Sequence, residues 1–117
     1  MVIDDDRNMR QFMRLILEKA GHEVIEAKNG EEGIKACDRE QVDLIFLDIF
    51  MPVKDGIETV LELRERHPGC TVVTISGGGG SGNFDYLKYS ERFGASSSLT
   101  KPFSKHELLE CVARYAR

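Results

Sequence analysis

The chain of 117 residues lacks tryptophan, holds only three prolines and three cysteines, and contains no long apolar run. No stretch approaches the roughly 20 apolar residues that a membrane helix needs, and no signal-peptide pattern opens the sequence. The cysteines are odd in number and none lies in a C-x-x-C pair. This pattern fits reduced thiols in a cytoplasm better than a disulfide framework or a zinc site. We therefore expect a cytoplasmic protein without a membrane segment.

An excess of positive charge is also missing. The formal net charge is −4, which argues against non-specific binding to nucleic acid. The three histidines are isolated from one another, so each is interpreted as a surface side chain rather than a metal ligand. With 41% hydrophobic residues, the chain is long enough to bury one core, which indicates a single globular domain.

Short apolar segments alternate with segments in which apolar residues recur at helical spacing. This alternation predicts strands near residues 1–3, 23–27, 42–48, 71–76 and 96–100. It predicts helices near residues 7–20, 31–39, 58–67 and 85–93, and a fifth helix after residue 104. Right-handed crossovers between such strands produce a parallel sheet with helices on both faces. Without a linker or a repeat, residues 1–117 are expected to form one domain with no output domain.

Local signals predict where some helices begin and which side they bury. Asn29-Gly30 is interpreted as a turn, and Ser104 with Glu107 forms a capping box before the last helix. Inward positions are expected at Val60, Leu61 and Leu63 in the third helix, and at Leu108, Leu109, Val112 and Ala113 in the last.

The segment at residues 42–48 is almost continuously apolar, which is typical of a strand buried on both faces of a parallel sheet. Asp48 ends this run, and Pro52 and the turn residues 54–56 follow it. Asp48 therefore lies at the sheet edge where open α/β sheets bind ligands. A charge there is costly unless it is paired or bound to a metal. A carboxylate that only caps a turn is the alternative interpretation.

Polar residues follow other predicted strands at the same edge. Asp4 and Asp5 follow the first strand, Ser76 ends the fourth, and Lys101 follows the fifth. The first and third strands of a doubly wound sheet flank the ligand crevice, so these groups are expected to converge with Asp48. Two carboxylates about 4 Å apart repel by on the order of 4 kcal/mol at an effective dielectric constant near 20. A Mg²⁺ ion would neutralise such a cluster, and the lysine and the hydroxyl would contact a phosphate. The set predicts phosphoryl transfer onto Asp48.

Four short motifs at these strand ends resemble the receiver domain of two-component response regulators. They are IDDD at residues 3–6, LDIFMPVKDG at residues 47–56, TIS at residues 74–76 and LTKPF at residues 99–103. The resemblance covers essentially the whole chain. It implies a flavodoxin-like α/β fold, with a doubly wound five-stranded parallel sheet in the order 2-1-3-4-5 and helices on both faces.

The resemblance also implies a metal site and a phospho-acceptor. Asp48 would accept the phosphoryl group and lie beside the metal. Asp5 would ligate Mg²⁺ directly, and Asp4 directly or through water. The backbone carbonyl of Phe50 would be a further ligand.

Two residues would contact the phosphoryl group. The resemblance implies that Lys101 pairs with it, and that Ser76 reorients onto it where most members have threonine. The bond between Lys101 and Pro102 is typically cis in this family. The domain would assist its own phosphorylation and dephosphorylation without being an enzyme for other substrates.

The sequence departs from the family at the position of the signalling aromatic residue, where it has Ser98. The usual inward turn of a tyrosine or phenylalanine cannot occur there. We hypothesise that the switch is carried by the glycine-rich segment 77–82 and by the aromatic residues Phe84, Tyr86 and Tyr89 that follow it.

The resemblance implies partners as well. A histidine kinase or a histidine phosphotransfer domain would supply the phosphoryl group, and a downstream protein would respond to it. The output surface would be formed by the fourth helix, the fifth strand and the fifth helix, a face through which two copies could also form a homodimer. No direct contact with nucleic acid or a membrane is expected.

Other functions are compatible with parts of the sequence. A receiver-like scaffold or adaptor would keep the fold without phosphorylation, but the complete set of five polar residues at the strand ends disfavours it. A metal-dependent phosphatase would need a second catalytic acid beside Asp48. Gly77, Gly79 and Gly82 satisfy G-x-G-x-x-G, but no acidic residue closes the next strand, which disfavours dinucleotide binding.

Overall fold

The computed structural model describes residues 1–49, 56–77 and 91–115. In chain order the elements are β1 (Val2–Ile3), α1 (Arg7–Lys19), β2 (Glu26–Ala27), α2 (Gly30–Arg39), β3 (Leu44–Asp48), α3 (Gly56–Arg66), β4 (Thr71–Gly77), β5 (Ser97–Lys101) and α4 (Lys105–Tyr115). The last of these, α4, is the helix predicted fifth from the sequence. Most of the helix predicted near residues 85–93 lies outside the described residues.

The five strands form one parallel sheet in the order β2-β1-β3-β4-β5. The predicted doubly wound order is thereby confirmed. In the described parts of the chain, no helix is both long and apolar enough to cross a bilayer. Because all strands point the same way, their carboxyl ends share one edge of the sheet.

β3 lies at the centre of the sheet, and each of its five residues is buried. Two apolar clusters cover the two faces of the sheet. One joins Ile3 and Leu47 to α2 and α3, and the other joins Val2 and Phe46 to α1 and α4. Neighbouring residues of a strand enter opposite clusters because side chains alternate between faces. This arrangement explains why the apolar run of β3 is nearly continuous.

Two predicted inward positions are wrong. Leu61 is 46% exposed, because α3 buries Thr59, Val60 and Leu63 and the next position along the helix turns away from that stripe. Ala113 of α4 is exposed for the same reason, since Leu108, Cys111 and Val112 form the buried stripe. Leu109 is partly buried against the second cluster.

The helix caps agree with the sequence in one case and differ in another. The Glu107 amide donates to Ser104 Oγ at 3.0 Å, and the Ser104 amide donates to Glu107 Oε1 at 3.1 Å, so the predicted capping box is confirmed. The predicted turn at Asn29-Gly30 is instead the start of α2. Asn29 is its N-cap and accepts the Glu32 amide at 2.8 Å. The error arose because asparagine serves both turns and helix caps.

Gly56, the first residue of α3, packs against the backbone that follows β3. Its amide donates to the Ile49 carbonyl at 2.8 Å. A Cβ atom on Gly56 would lie 2.4 Å from Ile49 Cα, a backbone atom that cannot move aside without shifting β3. The glycine is therefore required by close approach of two backbone segments beside Asp48.

We expect Gly56→Ala to lower the free energy of unfolding by about 1–3 kcal/mol, because the added methyl overpacks the backbone. Gly69→Ala is the matched control, since Gly69 is exposed and has no atom within 4 Å of the added Cβ. Its expected change is below about 0.5 kcal/mol. Urea unfolding of the three proteins measures both values. Equal stability of the Gly56 and Gly69 variants would contradict this account.

The three cysteines are free and buried. Burial raises the pKa of the Cys37 thiol to about 12 and also raises the pKa of Cys70 and of Cys111. The Cys70 thiol donates to the Val42 carbonyl at 2.9 Å. A buried, protonated thiol is a poor nucleophile.

We expect all three thiols to react with a disulfide reagent such as DTNB at least about tenfold more slowly in the native protein than in urea, because only unfolding exposes and ionises them. Release of thionitrobenzoate at pH 8 measures both rates. Rapid labelling of any thiol in the native protein would show that its burial is incorrect.

Candidate functional site

Three carboxylates meet at the carboxyl-terminal edge of the sheet. Asp4 and Asp5 follow β1, Asp48 ends β3, and these two strands are neighbours. One ligand oxygen from each residue lies within 4.8 Å of the others. Asp4 and Asp48 are 1% and 6% exposed, whereas Asp5 is open to solvent. The cluster therefore has a buried base and one accessible side.

Lys101, the last residue of β5, extends into this cluster. Its Nζ lies 3.2 Å from Asp4 Oδ2 and 3.6 Å from Asp48 Oδ2. Burial opposes the charge on this ammonium, but the Asp48 and Asp4 carboxylates outweigh it and raise the pKa of Lys101 above its usual value. Lys101 therefore stays charged at neutral pH. The peptide bond to Pro102 is cis, as the resemblance implied.

The backbone around Asp4 holds its carboxylate in place. The Asp4 amide donates to the Ala27 carbonyl at 3.1 Å, which continues the pairing of β1 with β2. Asp4 Oδ1 accepts the Asp6 amide at 2.9 Å, while Oδ2 accepts from Lys101. Asp6 in turn is the N-cap of α1 and accepts the Asn8 amide at 2.9 Å. Strand pairing and a helix cap thus fix the turn that carries Asp4 and Asp5.

Strand register shows where two other predicted site residues, Ser76 and Ser98, lie. Ile75 is opposite Asp48, so Ser76 comes one residue beyond this pair, and it is 8% exposed. Ser76 also pairs with Thr100, directly before Lys101. Ser98 is half-buried on β5 opposite Thr74, two residues further from the edge.

The structure thus brings Asp4, Asp5, Asp48 and Lys101 together, and it places Ser76 on the adjoining strand end. The other predicted site residues, Phe50, Phe84, Tyr86 and Tyr89, lie outside the described residues.

A groove among the described residues lies away from this site. It has a volume of about 1070 Å³ and lies at the amino-terminal ends of the strands, between Met1, Ile25 and Val42. None of the predicted site residues lines it.

The donor atoms of the acidic site suit a hard divalent cation. Three carboxylates and one ammonium leave two negative charges in excess when all four groups are ionised. Oxygen ligands without histidine or cysteine are the donors that Mg²⁺ and Mn²⁺ prefer. The residues present therefore fit a magnesium ion, with Lys101 left to bind an anion such as a phosphoryl group.

Two further residues support this site and were not predicted from the sequence. Asp6 caps α1, and an aspartate directly before a helical pattern is the signal that could have identified it. Arg10 of α1 donates from Nη1 to the Asp4 carbonyl at 2.7 Å. No sequence pattern indicates this second contact, because it depends on how α1 packs against β1.

Comparison with known proteins identifies the same family that the four sequence motifs resemble. The family model described as "Response regulator receiver domain" matches residues 1–113. The chemotaxis protein CheY of Halobacterium salinarum is 31% identical over 113 residues, which is 97% of this chain and 92% of that protein. The transcriptional regulatory protein CpxR of Escherichia coli K12 is 34% identical over all 117 residues, which is 48% of that protein.

The chain therefore spans nearly all of one curated relative and about half of another. Among solved structures, the receiver domain of NtrX from Brucella abortus superposes with a TM-score of 0.89 at 31% identity, over 97% of this chain and 93% of that one. The chain belongs to the family of response regulator receiver domains.

Proposed function

We propose that this chain is a phosphorylation switch in which Asp48 accepts a phosphoryl group from a phosphohistidine donor with Mg²⁺ bound beside it. As a receiver domain, the chain acts in phosphorylation-dependent two-component signalling and is not a classical enzyme. The geometry of the acidic cluster is the observation that best supports this assignment of residues. Three carboxylates lie within 4.8 Å of one another, and the Lys101 ammonium lies 3.6 Å from Asp48.

In the proposed reaction, an oxygen of the Asp48 carboxylate forms a bond to phosphorus as the bond from phosphorus to the donor histidine breaks. The leaving imidazole takes up a proton, and Asp48 becomes an acyl phosphate. Mg²⁺ supplies positive charge to the phosphoryl oxygens when it is bound. Lys101 pairs with one phosphoryl oxygen, and the Ser76 hydroxyl donates a hydrogen bond to another.

Asp5, Asp4, Asp48 and the backbone carbonyl of Phe50 are the proposed metal ligands. Both carboxylate oxygens of Asp4 already accept hydrogen bonds, one from the Asp6 amide and one from Lys101. Asp5 is exposed at the open side of the cluster. These contacts favour Asp5 as the direct ligand and Asp4 as a ligand through water.

The phosphoryl donor in this proposal is a histidine kinase or a histidine phosphotransfer domain, and a downstream protein responds to the modified domain. Receiver domains contact such kinases and effectors as a family. We further propose that residues 1–117 fold as one receiver domain that does not itself contact nucleic acid or a membrane. Its net charge of −4 favours protein partners over nucleic acid.

A cytoplasmic location and a homodimer through β5, α4 and the helix predicted near residues 85–93 complete the proposal. The buried reduced thiols support a reducing compartment. For the dimer, β5 is an edge strand in the described sheet, and edge strands can pair with a second chain. Nothing in the described residues favours the adaptor alternative.

We expect Asp48→Asn to abolish phosphorylation, because an amide oxygen is not a nucleophile toward phosphorus. Wild type and variant are incubated with Mg²⁺ and acetyl phosphate or phosphoramidate, and intact mass spectrometry measures the gain of one phosphoryl group. Asp43→Asn is the matched control, since Asp43 is exposed and precedes the same strand at the opposite edge of the sheet. It should be phosphorylated like wild type.

Phosphorylation of Asp48→Asn to the wild-type extent would exclude Asp48 as the acceptor. A wild-type protein that gains no phosphoryl mass would instead support the adaptor alternative.

The output of the switch requires a route other than an aromatic residue on β5. Ser98 is half-buried opposite Thr74 and has no ring to turn inward. We propose that segment 77–82 and the aromatic residues Phe84, Tyr86 and Tyr89 carry the change. This assignment rests on their sequence, which places glycines and then aromatic side chains directly after Ser76.

We expect an acyl-phosphate mimic such as beryllofluoride to change amide hydrogen exchange in residues 77–93 by at least about tenfold. Exchange in α2, which packs beside β2 at the other end of the strand order, should be unaffected. Mass spectrometry of peptides from both states measures the exchange. Equal protection of residues 77–93 with and without the mimic, in a protein shown to bind it, would exclude this switch.

A further inference from the structure

Arg10 connects α1 to the turn that carries the acidic residues. It is 16% exposed in its side chain, and its Nη1 donates to the Asp4 carbonyl at 2.7 Å. Its Nε donates to Glu26 Oε1 at 3.1 Å. One guanidinium thus links Asp4, which follows β1, to Glu26 of β2.

Glu26 fixes the orientation of this guanidinium. Its second oxygen accepts from Arg14 Nη1 at 2.7 Å. The Arg14 contact lowers the pKa of Glu26, burial opposes that effect, and Arg10 adds to it. Glu26 therefore stays ionised at neutral pH. A planar guanidinium that is held at one edge by a carboxylate presents its remaining N–H groups in a fixed direction. In Arg10 these groups point toward the Asp4 carbonyl.

The Asp4 carbonyl belongs to the peptide that joins Asp4 to Asp5. A hydrogen bond to that carbonyl fixes the plane of the peptide and, with it, the direction in which the Asp5 side chain leaves the backbone. The Asp4 side chain accepts hydrogen bonds from the Asp6 amide, across the same turn, and from Lys101. Asp5 is exposed, so its position depends on the backbone, which this contact restrains together with strand pairing and the Asp6 helix cap.

We propose that Arg10 is a positioning residue, which holds the Asp4–Asp5 peptide so that the Asp5 carboxylate is already placed for the divalent cation. The inference rests on the proposed metal site. Arg10 does not ligate the ion; it acts through the backbone of a ligand. Loss of such an outer contact typically weakens metal binding by about 10–100-fold.

The test is the affinity of the full chain for Mn²⁺, measured by the electron paramagnetic resonance signal of the free ion. We expect Arg10→Met to raise the Mn²⁺ dissociation constant by at least about tenfold. Arg14→Met is the matched control. Among the described residues, Arg14 pairs with Glu18 and Glu26 only, so this variant also loses an ion pair to Glu26 but leaves the Asp4 carbonyl bound. Its dissociation constant should stay within about twofold of wild type, since no metal ligand is touched.

Hydrogen exchange of the Asp6 amide gives a readout without metal. This amide donates to Asp4 Oδ1, so its protection should fall in Arg10→Met and not in Arg14→Met. If Arg10→Met does not fold, Arg10→Gln replaces it, with the same expected loss of affinity and protection.

Wild-type Mn²⁺ affinity in the folded Arg10 variant, or equal losses in the Arg10 and Arg14 variants, would overturn the positioning role. A wild-type protein that binds Mn²⁺ no better than Asp5→Asn would instead overturn the proposed metal site. The two failures are therefore distinguishable.

Discussion

Mutual repulsion among three carboxylates at one sheet edge is the constraint on which the arrangement of this domain depends. Asp4 and Asp48 are nearly excluded from water, so solvent screens their repulsion poorly. Lys101 offsets one of the three charges, and the excess suits a divalent cation. Because the carboxylates repel one another, contacts elsewhere in the fold must hold them in place. A positively charged ion complements the negative charge that Lys101 does not offset.

The fold supplies that support at two levels. Pairing of β1 with β3 sets the separation of Asp4 from Asp48, because the strand register determines where along the sheet each residue lies. The finer restraints come from short-range contacts, namely the Asp6 cap at the start of α1 and the Arg10 contact with the Asp4 carbonyl. The strands thus bring the acids together, and the β1–α1 turn sets their directions.

Much of this could be predicted from the sequence. The buried strand ending in Asp48 was evident from its apolar run, and the strand-end positions of Asp4, Asp5, Ser76 and Lys101 followed from the alternation of strands and helices. The order of the strands came from the family resemblance. Such features depend on patterns within short segments, which a sequence displays directly.

The errors and omissions share a physical origin. Leu61 was assigned to the core because it is apolar, although the buried stripe of α3 passes through Val60 and Leu63. The role of Arg10 depends on the packing of α1 against β1 and β2, and an arginine on a helix carries no sign of its partner. Side-chain partners across elements are set by three-dimensional packing, so composition and spacing do not determine them.

The contact between Lys101 and Asp4 joins residues separated by 97 positions in the chain. A contact of such long sequence separation contributes stability only after a large loop has closed, which costs conformational entropy. The pocket therefore becomes complete only when β5 has been added to the sheet. A chain that is still emerging, or that has lost its last strand, lacks the ammonium and cannot form the assembled site. Competence to receive a signal is thus coupled to the completion of folding.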